Sequence, residues 1–304
     1  MELMKEFDSV IDLIVWLINP PDEEAYYYRG VDMKDQIYPK IMRIKNNKHN
    51  DNINFCEIED NLLDDFIKYG SSLIGNNTNA FTYLAFAQHY GLPTRLVDWS
   101  SNPLVALFFA IYYSNRQEKN PELLLLPRNN TIPIREPVYF RTWSDGLISD
   151  ENPIRSYFRF RDDVRNNKIA DLAIYSGKEF SKIEDNDKVY SNKIKSNDKK
   201  GCMIMIDPGR SNPRVITQSG LFYFPRELNR EEIDKEMSAS GVKYIPIRVG
   251  WRDELNKLLK NLGIEKWKLF LDLPEICSYI VEENVEFYNL MTDFDINRLT
   301  LNKH

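Results

Sequence analysis

Apolar positions along the chain recur with two periods, and the change from one to the other marks the elements. Near the start, Phe7, Val10, Ile11, Leu13, Ile14, Val15, Trp16, Leu17 and Ile18 gather around the acidic Glu6, Asp8 and Asp12. This run is far shorter than the roughly 20 residues a membrane span needs. It predicts an amphipathic helix packed on the domain and ended by Asn19-Pro20-Pro21. Ala25-Tyr26-Tyr27-Tyr28-Arg29-Gly30 is dense in aromatic residues and reads as the first strand, with Gly30 at its end. From Asn54 to Gly70 the spacing of Phe55, Ile58, Leu62, Leu63, Phe66 and Ile67 is helical, and a second helix is predicted from Asn79 to Tyr90. Gly91 suits the left-handed residue that closes a helix, and Pro93 cannot continue one. A short strand is expected around Arg95-Leu96-Val97-Asp98. A new helix then starts with Asn102 as N-cap and Pro103 in its first turn.

The second half reads differently. Prolines at Pro121, Pro127, Pro133, Pro137 and Pro153 favour extended segments such as Pro137 to Thr142. Ser181 to Gly201 is polar and lysine-rich and predicts an exposed, mobile loop. Cys202 to Ile206 predicts a buried strand, and Arg214 to Phe224 and Val242 to Val249 predict two more. Arg252 to Leu262 is helical by the spacing of Leu255, Leu258, Leu259 and Leu262, and a closing helix follows Pro274. Strands and helices do not alternate strictly, and several strands cluster after residue 200. The expected fold is therefore α+β, a single domain with a bent mixed or antiparallel sheet flanked by helices. Residues 1–24 are set apart as a helical segment, 25–285 as the domain with its polar insertion near 181–201, and 286–304 as a tail.

Composition narrows the partners. The 304 residues carry a formal net charge of −6, which argues against a protein-wide basic surface of the kind that binds duplex DNA. A local basic groove, from Arg43, Arg141, Arg159 or Arg161, would still serve a nucleic-acid acceptor. The three cysteines, Cys56, Cys202 and Cys277, lie far apart with no zinc or disulfide spacing. A cytoplasmic protein without metal or membrane association is expected.

The densest polar chemistry lies in residues 87–103. His89 stands beside the Gly91-Leu92-Pro93 turn, as a structural histidine, a ligand contact or a general acid–base group. Arg29 offers a fork of donors for phosphate, or a salt bridge to an acidic neighbour. Gly30 would let a ligand approach the backbone. Arg95 and Asp98, at odd spacing, face opposite sides, so that one can point at a ligand while the other pairs internally. Trp99 is a core aromatic or a stacking plate, and the helix start at Asn102 is a potential anion site. A ligand site built from Arg29, Gly30, His89, Thr94, Arg95 and Ser100 follows.

These residues also carry a resemblance. Tyr28-Arg29-Gly30, then Gln88 through Trp99, then Asn102-Pro103 with Ala106 to Ala110, resemble the FRG domain family. Tyr38 to Arg43, Arg214 with Gln218 to Phe222, and Lys268 to Leu273, a closing strand-turn, are weaker echoes of it. The order of motifs is distantly similar to ADP-ribosyltransferases. These have an Arg or His on an early strand, then a strand ending in hydroxyl residues with an Ala-x-x-Phe-Ala helix, then a late strand led by glutamate or glutamine. That likeness implies an ADP-ribosyltransferase-like fold, with NAD as co-substrate held by Arg29, Gly30, Thr94, Arg95, Trp99 and Ser100. It implies His89 and Gln218 as catalytic residues and a macromolecular acceptor, nucleic acid among the candidates. A toxin or phage-defence role with an antitoxin or inhibitor protein as partner also follows. The sequence departs from the pattern in lacking a glutamate at Gln218; Glu227 is a nearby carboxylate. A non-catalytic nucleotide or nucleic-acid binding module is the alternative. A hydrolase or nuclease ranks third, since neither a Gly-x-Ser-x-Gly elbow nor paired acidic motifs are present.

Overall fold

The computed structural model of the chain describes residues 1–20, 24–32, 34–44, 53–74, 80–112, 121–135, 153–166, 201–208 and 213–285. Among these residues eight strands form one sheet: β1 (Glu2–Leu3), β2 (Tyr26–Val31), β3 (Val97–Ser100), β4 (Glu122–Pro127), β5 (Ile132–Arg135), β6 (Ile204–Asp207), β7 (Gly220–Tyr223) and β8 (Lys243–Pro246). Their spatial order is β1-β8-β4-β2-β3-β7-β6-β5. The end pairs β1/β8 and β5/β6 are parallel. The inner pairs are antiparallel, so the sheet is mixed and the fold is α+β.

The helices are α1 (Val10–Ile18), α2 (Phe55–Ile74), α3 (Ala80–His89), α4 (Pro103–Tyr112), α5 (Pro153–Arg165), α6 (Pro213–Thr217), α7 (Arg230–Ala239), α8 (Arg252–Asn261) and α9 (Lys266–Phe270), with a further helix over 273–285. α1 starts where Ser9 accepts a hydrogen bond from the Asp12 amide, and it buries Val10, Leu13, Ile14, Trp16 and Leu17. Ahead of it, residues 2–3 are not helical. They form an edge strand along Lys243 and Tyr244, and Met4 donates to the Tyr244 carbonyl at 2.8 Å. Residues 1–20 thus share the sheet and core of the rest.

Two later expectations need correction. Arg214 to Phe224 is not one strand: α6 occupies Pro213–Thr217, and β7 begins only at Gly220. Lys268 to Leu273 holds the end of the short helix Lys266–Phe270, its left-handed cap Leu271 at φ 43°, and the start of the next helix, rather than a strand-turn. Pro137 to Thr142 and Ser181 to Lys200 lie outside the described residues. No described helix is long and apolar enough to cross a membrane.

Strand alternation sends side chains to both faces of the sheet and makes three cores. Tyr26 and Tyr28 of β2, with Leu123 and Leu125 of β4, pack under α1, α4, α8 and Leu269. On the same face, Ile204, Ile206 and Phe222 pack with Leu63 of α2, Leu84 of α3 and Phe160 of α5. The opposite face gathers Val97, Trp99, Leu124, Leu126 and Tyr223 under Ile233 and Met237 of α7. The seam between the halves is thin. β2 shares six register pairs with β4, and β3 shares four with β7. β2 and β3 meet only at Tyr28 and Ser100.

Candidate functional site

The segment joining α3 to β3 is fixed before any ligand is considered. Gly91 takes φ 96°, as a left-handed helix cap does. Its amide donates to the Gln88 carbonyl at 3.1 Å, and the Leu92 amide to the Ala87 carbonyl at 2.9 Å. Thr94, 1% exposed, donates its hydroxyl to Gln88 Oε1 at 2.6 Å. That turns the Gln88 amide nitrogen outward, where it donates to Asp98 Oδ1 at 2.7 Å. At the far end of β3 the Ser100 hydroxyl donates to the Gln218 carbonyl at 2.7 Å and accepts from the Asn102 amide at 2.9 Å. Asn102 caps α4 as expected, accepting from the Leu104 amide at 2.9 Å. The start of α4 is therefore filled by its own cap, and the anion site expected there is closed by it.

A cavity of about 440 Å³ opens along the β2–β3 seam, where all three cores meet. Arg29, Gly30, His89, Trp99, Ser100 and Gln218 all line it. Lys40, Arg43 and Arg214 also line it, and Asp98 is the carboxylate among the lining residues. Among the described lining residues, four cations against one anion make the cavity basic inside an acidic protein. The guanidinium of Arg29 donates to the Asp98 carbonyl and, at 2.7 Å, to the Gln36 carbonyl. Its side chain thus spans the seam next to the single backbone pairing of β2 and β3. Burial lowers the Arg43 value from the ordinary arginine range, against the pull of Asp98 and Asp35.

Gly30 lines the cavity and also packs directly against a helix. A Cβ there would lie 2.0 Å from the Ala106 carbonyl oxygen and 2.3 Å from the Ala110 nitrogen. The missing side chain lets α4 lie directly on β2, and this fixes the floor of the cavity.

His89 and Arg214 meet across the cavity, Nδ1 to Nη1, at 3.3 Å. Since arginine can only donate, Nδ1 accepts and the imidazole proton sits on Nε2. Burial, then the Arg214 charge, push the His89 value down, and Asp272 partly opposes them. The ring is a neutral donor at neutral pH, with Nδ1 already engaged. Gln218 donates its amide to the Leu269 carbonyl at 3.1 Å, as does the Thr217 hydroxyl at 3.1 Å. Ser219, the next residue, takes φ 47°, a conformation that L side chains rarely hold. The strained turn sits beside the expected catalytic glutamine. Trp99 is 3% exposed in the cavity wall, and its buried Nε1–H meets no acceptor among the described residues.

Thr94 and Arg95 do not line the cavity. Thr94 acts at one remove, through Gln88. Arg95 is 1% exposed and points behind the wall, where Nη2 pairs with Glu59 of α2 at 2.5 Å and the guanidinium stacks on Phe224 at 4.9 Å. Glu227 pairs with Arg165 at 2.6 Å and is also outside the cavity. Of the basic-groove candidates, Arg43 reaches the cavity, while Arg161 is bound to Asp60. Arg141 and the Arg159 side chain lie outside the described residues. No group of three or more His, Cys, Asp or Glu is placed to hold a metal among the described residues. The cavity residues not foreseen are Gln36, Tyr38, Lys40, Gln88 and Arg214. They come from a turn and two helix ends whose sequence periodicity carries no mark of the site.

Comparison with known proteins adds one family. Residues 24–119 match the family model described as the FRG domain. The match spans β2 to the end of α4, and so includes Arg29, Gly30, His89, Asp98 and Ser100 but not Arg214 or Gln218. No curated protein and no solved structure matches the chain.

Proposed function

From the FRG domain over residues 24–119, whose strands and helices wall a basic cavity, we propose that this protein binds NAD and transfers its ADP-ribose to a macromolecular acceptor. The observation that carries the reading is the charge of the cavity: Arg29, Lys40, Arg43 and Arg214 converge in a chain of net charge −6. A cavity of that size, with a few convergent polar groups, suits a small-molecule ligand. Fixed guanidinium forks suit phosphate oxygens. The diphosphate of a dinucleotide fits this donor set. Apolar wall residues such as Phe109 and Val215 leave room for rings beside the charges.

Three elements distantly similar to ADP-ribosyltransferases converge on this cavity: Arg29 on β2, Ser100 at the end of β3 ahead of α4, and Gln218 just before β7. In this reading Arg29 and Arg43 hold the diphosphate. His89, neutral, donates from Nε2, and Gln218 orients the ribose. A toxin or defence role would follow from such chemistry on an essential acceptor. The test is labelled NAD incubated with purified protein, alone and with cell extract. Nicotinamide release and labelled product are expected, together with a rise in melting temperature with NAD. If NAD raises the melting temperature without turnover, the protein is a binding module. That second reading draws on the Gln218 amide and the Ser100 hydroxyl being committed to internal hydrogen bonds. If NAD neither reacts nor stabilises, the NAD reading fails.

A further inference from the structure

Resting on that reading, we propose that Asp98 is the catalytic carboxylate of the transfer. The position before β7 that would be expected to carry a carboxylate is Gln218, and Glu227 is bound to Arg165 outside the cavity. Among the described lining residues Asp98 is the carboxylate, on the strand edge that faces the seam. Its placement is built. Thr94, buried, sets the Gln88 amide, and Gln88 holds Oδ1 at 2.7 Å. Such a chain of neutral hydrogen bonds orients a carboxylate without neutralising it. Arg95, three residues earlier, is spent on Glu59 behind the wall, and the cation whose charge reaches Asp98 is Arg43 of the cavity. The Asp98 side chain is exposed at the cavity, where a ligand and an acceptor can both reach it.

The chemistry of a ribosyl N-glycoside supplies the need. As the bond from C1′ to nicotinamide breaks, the electron pair leaves with the nicotinamide nitrogen and positive charge gathers on C1′ and the ring oxygen. A fixed carboxylate beside that carbon stabilises the charge as it develops. The acceptor's nucleophile then forms the new bond to C1′, and its proton passes to the Asp98 carboxylate and on to water. Arg29 and Arg43 keep the diphosphate in place meanwhile, so the anion serves the ribose while the cations serve the phosphates.

The experiment compares wild type, Asp98→Asn, Asp98→Glu and Gln88→Leu in NAD binding by calorimetry and nicotinamide release. Asn keeps the acceptor for Gln88 and removes only the charge. Expected for Asp98→Asn is NAD affinity within about threefold of wild type and a kcat at least about 100-fold lower. Asp98→Glu should regain part of the rate. Gln88→Leu, a positioning change, should lower kcat about 10-fold with KM unchanged. Wild-type turnover with Asp98→Asn within threefold of it would overturn the role of Asp98 and leave the NAD reading intact. No turnover by wild type, with or without extract, would overturn both.

Discussion

Arg29 and Arg95 come from two segments of one motif set, and the structure puts them to opposite uses. Arg95 is sealed behind the cavity wall, held by a carboxylate and an aromatic face, and 1% exposed. Arg29 opens on the cavity and donates to two backbone carbonyls. A carbonyl satisfies an N–H without cancelling the charge, whereas a carboxylate cancels it. The first arginine lines the cavity, and the second holds α2 to the strand. Neighbouring charges of one motif need not share a task; the partner each meets decides.

Breaking the buried side should cost most. Glu59→Ala leaves the Arg95 guanidinium buried without its carboxylate, and a loss of about 3–5 kcal/mol is expected in urea unfolding. A matched apolar pair, Glu59→Leu with Arg95→Met, should recover most of it. A loss below about 1 kcal/mol for Glu59→Ala would erase the contrast.

On the open side, Arg29→Ala should weaken transition-state binding by about 2–4 kcal/mol, seen in kcat/KM for NAD. Its two carbonyl contacts add a stability loss of about 1.5–3 kcal/mol. Arg95→Lys should show the reverse balance, with stability lost and kcat/KM of the folded protein kept. Equal kinetic losses for both would dissolve the division of labour.

Gly30→Ala tests the floor between them. Its Cβ would meet backbone atoms of α4 at 2.0 Å and 2.3 Å, so the helix must shift. A loss of about 1–3 kcal/mol is expected, with the cavity distorted and NAD affinity reduced.

The smallest effect is the pH dependence of His89. Its value in the folded protein lies below that of the unfolded chain, so the unfolded state binds more protons between the two. The stability it contributes is fully present above about 6.5, the ordinary histidine value, and is lost as pH falls through the folded value. His89→Gln should flatten the melting temperature against pH in the acid range. An unchanged slope would remove the neutral-donor assignment.

The helices from α2 to α4 were legible from their periods and boundary signals: the apolar spacing of α2, Gly91 at the end of α3, and Asn102 and Pro103 at the start of α4. Arg29 and His89 were readable as cavity candidates from their places at element ends. Arg95 was not, because its partner Glu59 lies 36 residues earlier on the face of a helix whose pattern gives no hint of a buried ion pair. Gly30 gave a true signal of close approach but not what approaches. α6 was masked by the β-branched Val215, Ile216 and Thr217, whose strand preference packing against α9 and β7 overrides. Arg214 was visible in sequence only as part of a weak family echo, since what gives it a place in the cavity is its contact with His89, 125 residues away.

The single pairing of β2 with β3 leaves two half-sheets, β1-β8-β4-β2 and β3-β7-β6-β5, each with its own apolar packing on the helix-laden face. A ligand that grips Arg29 on one half and Asp98 or His89 on the other would act as a clasp across this joint. Its binding energy would then appear as slower amide exchange along β2 and β3.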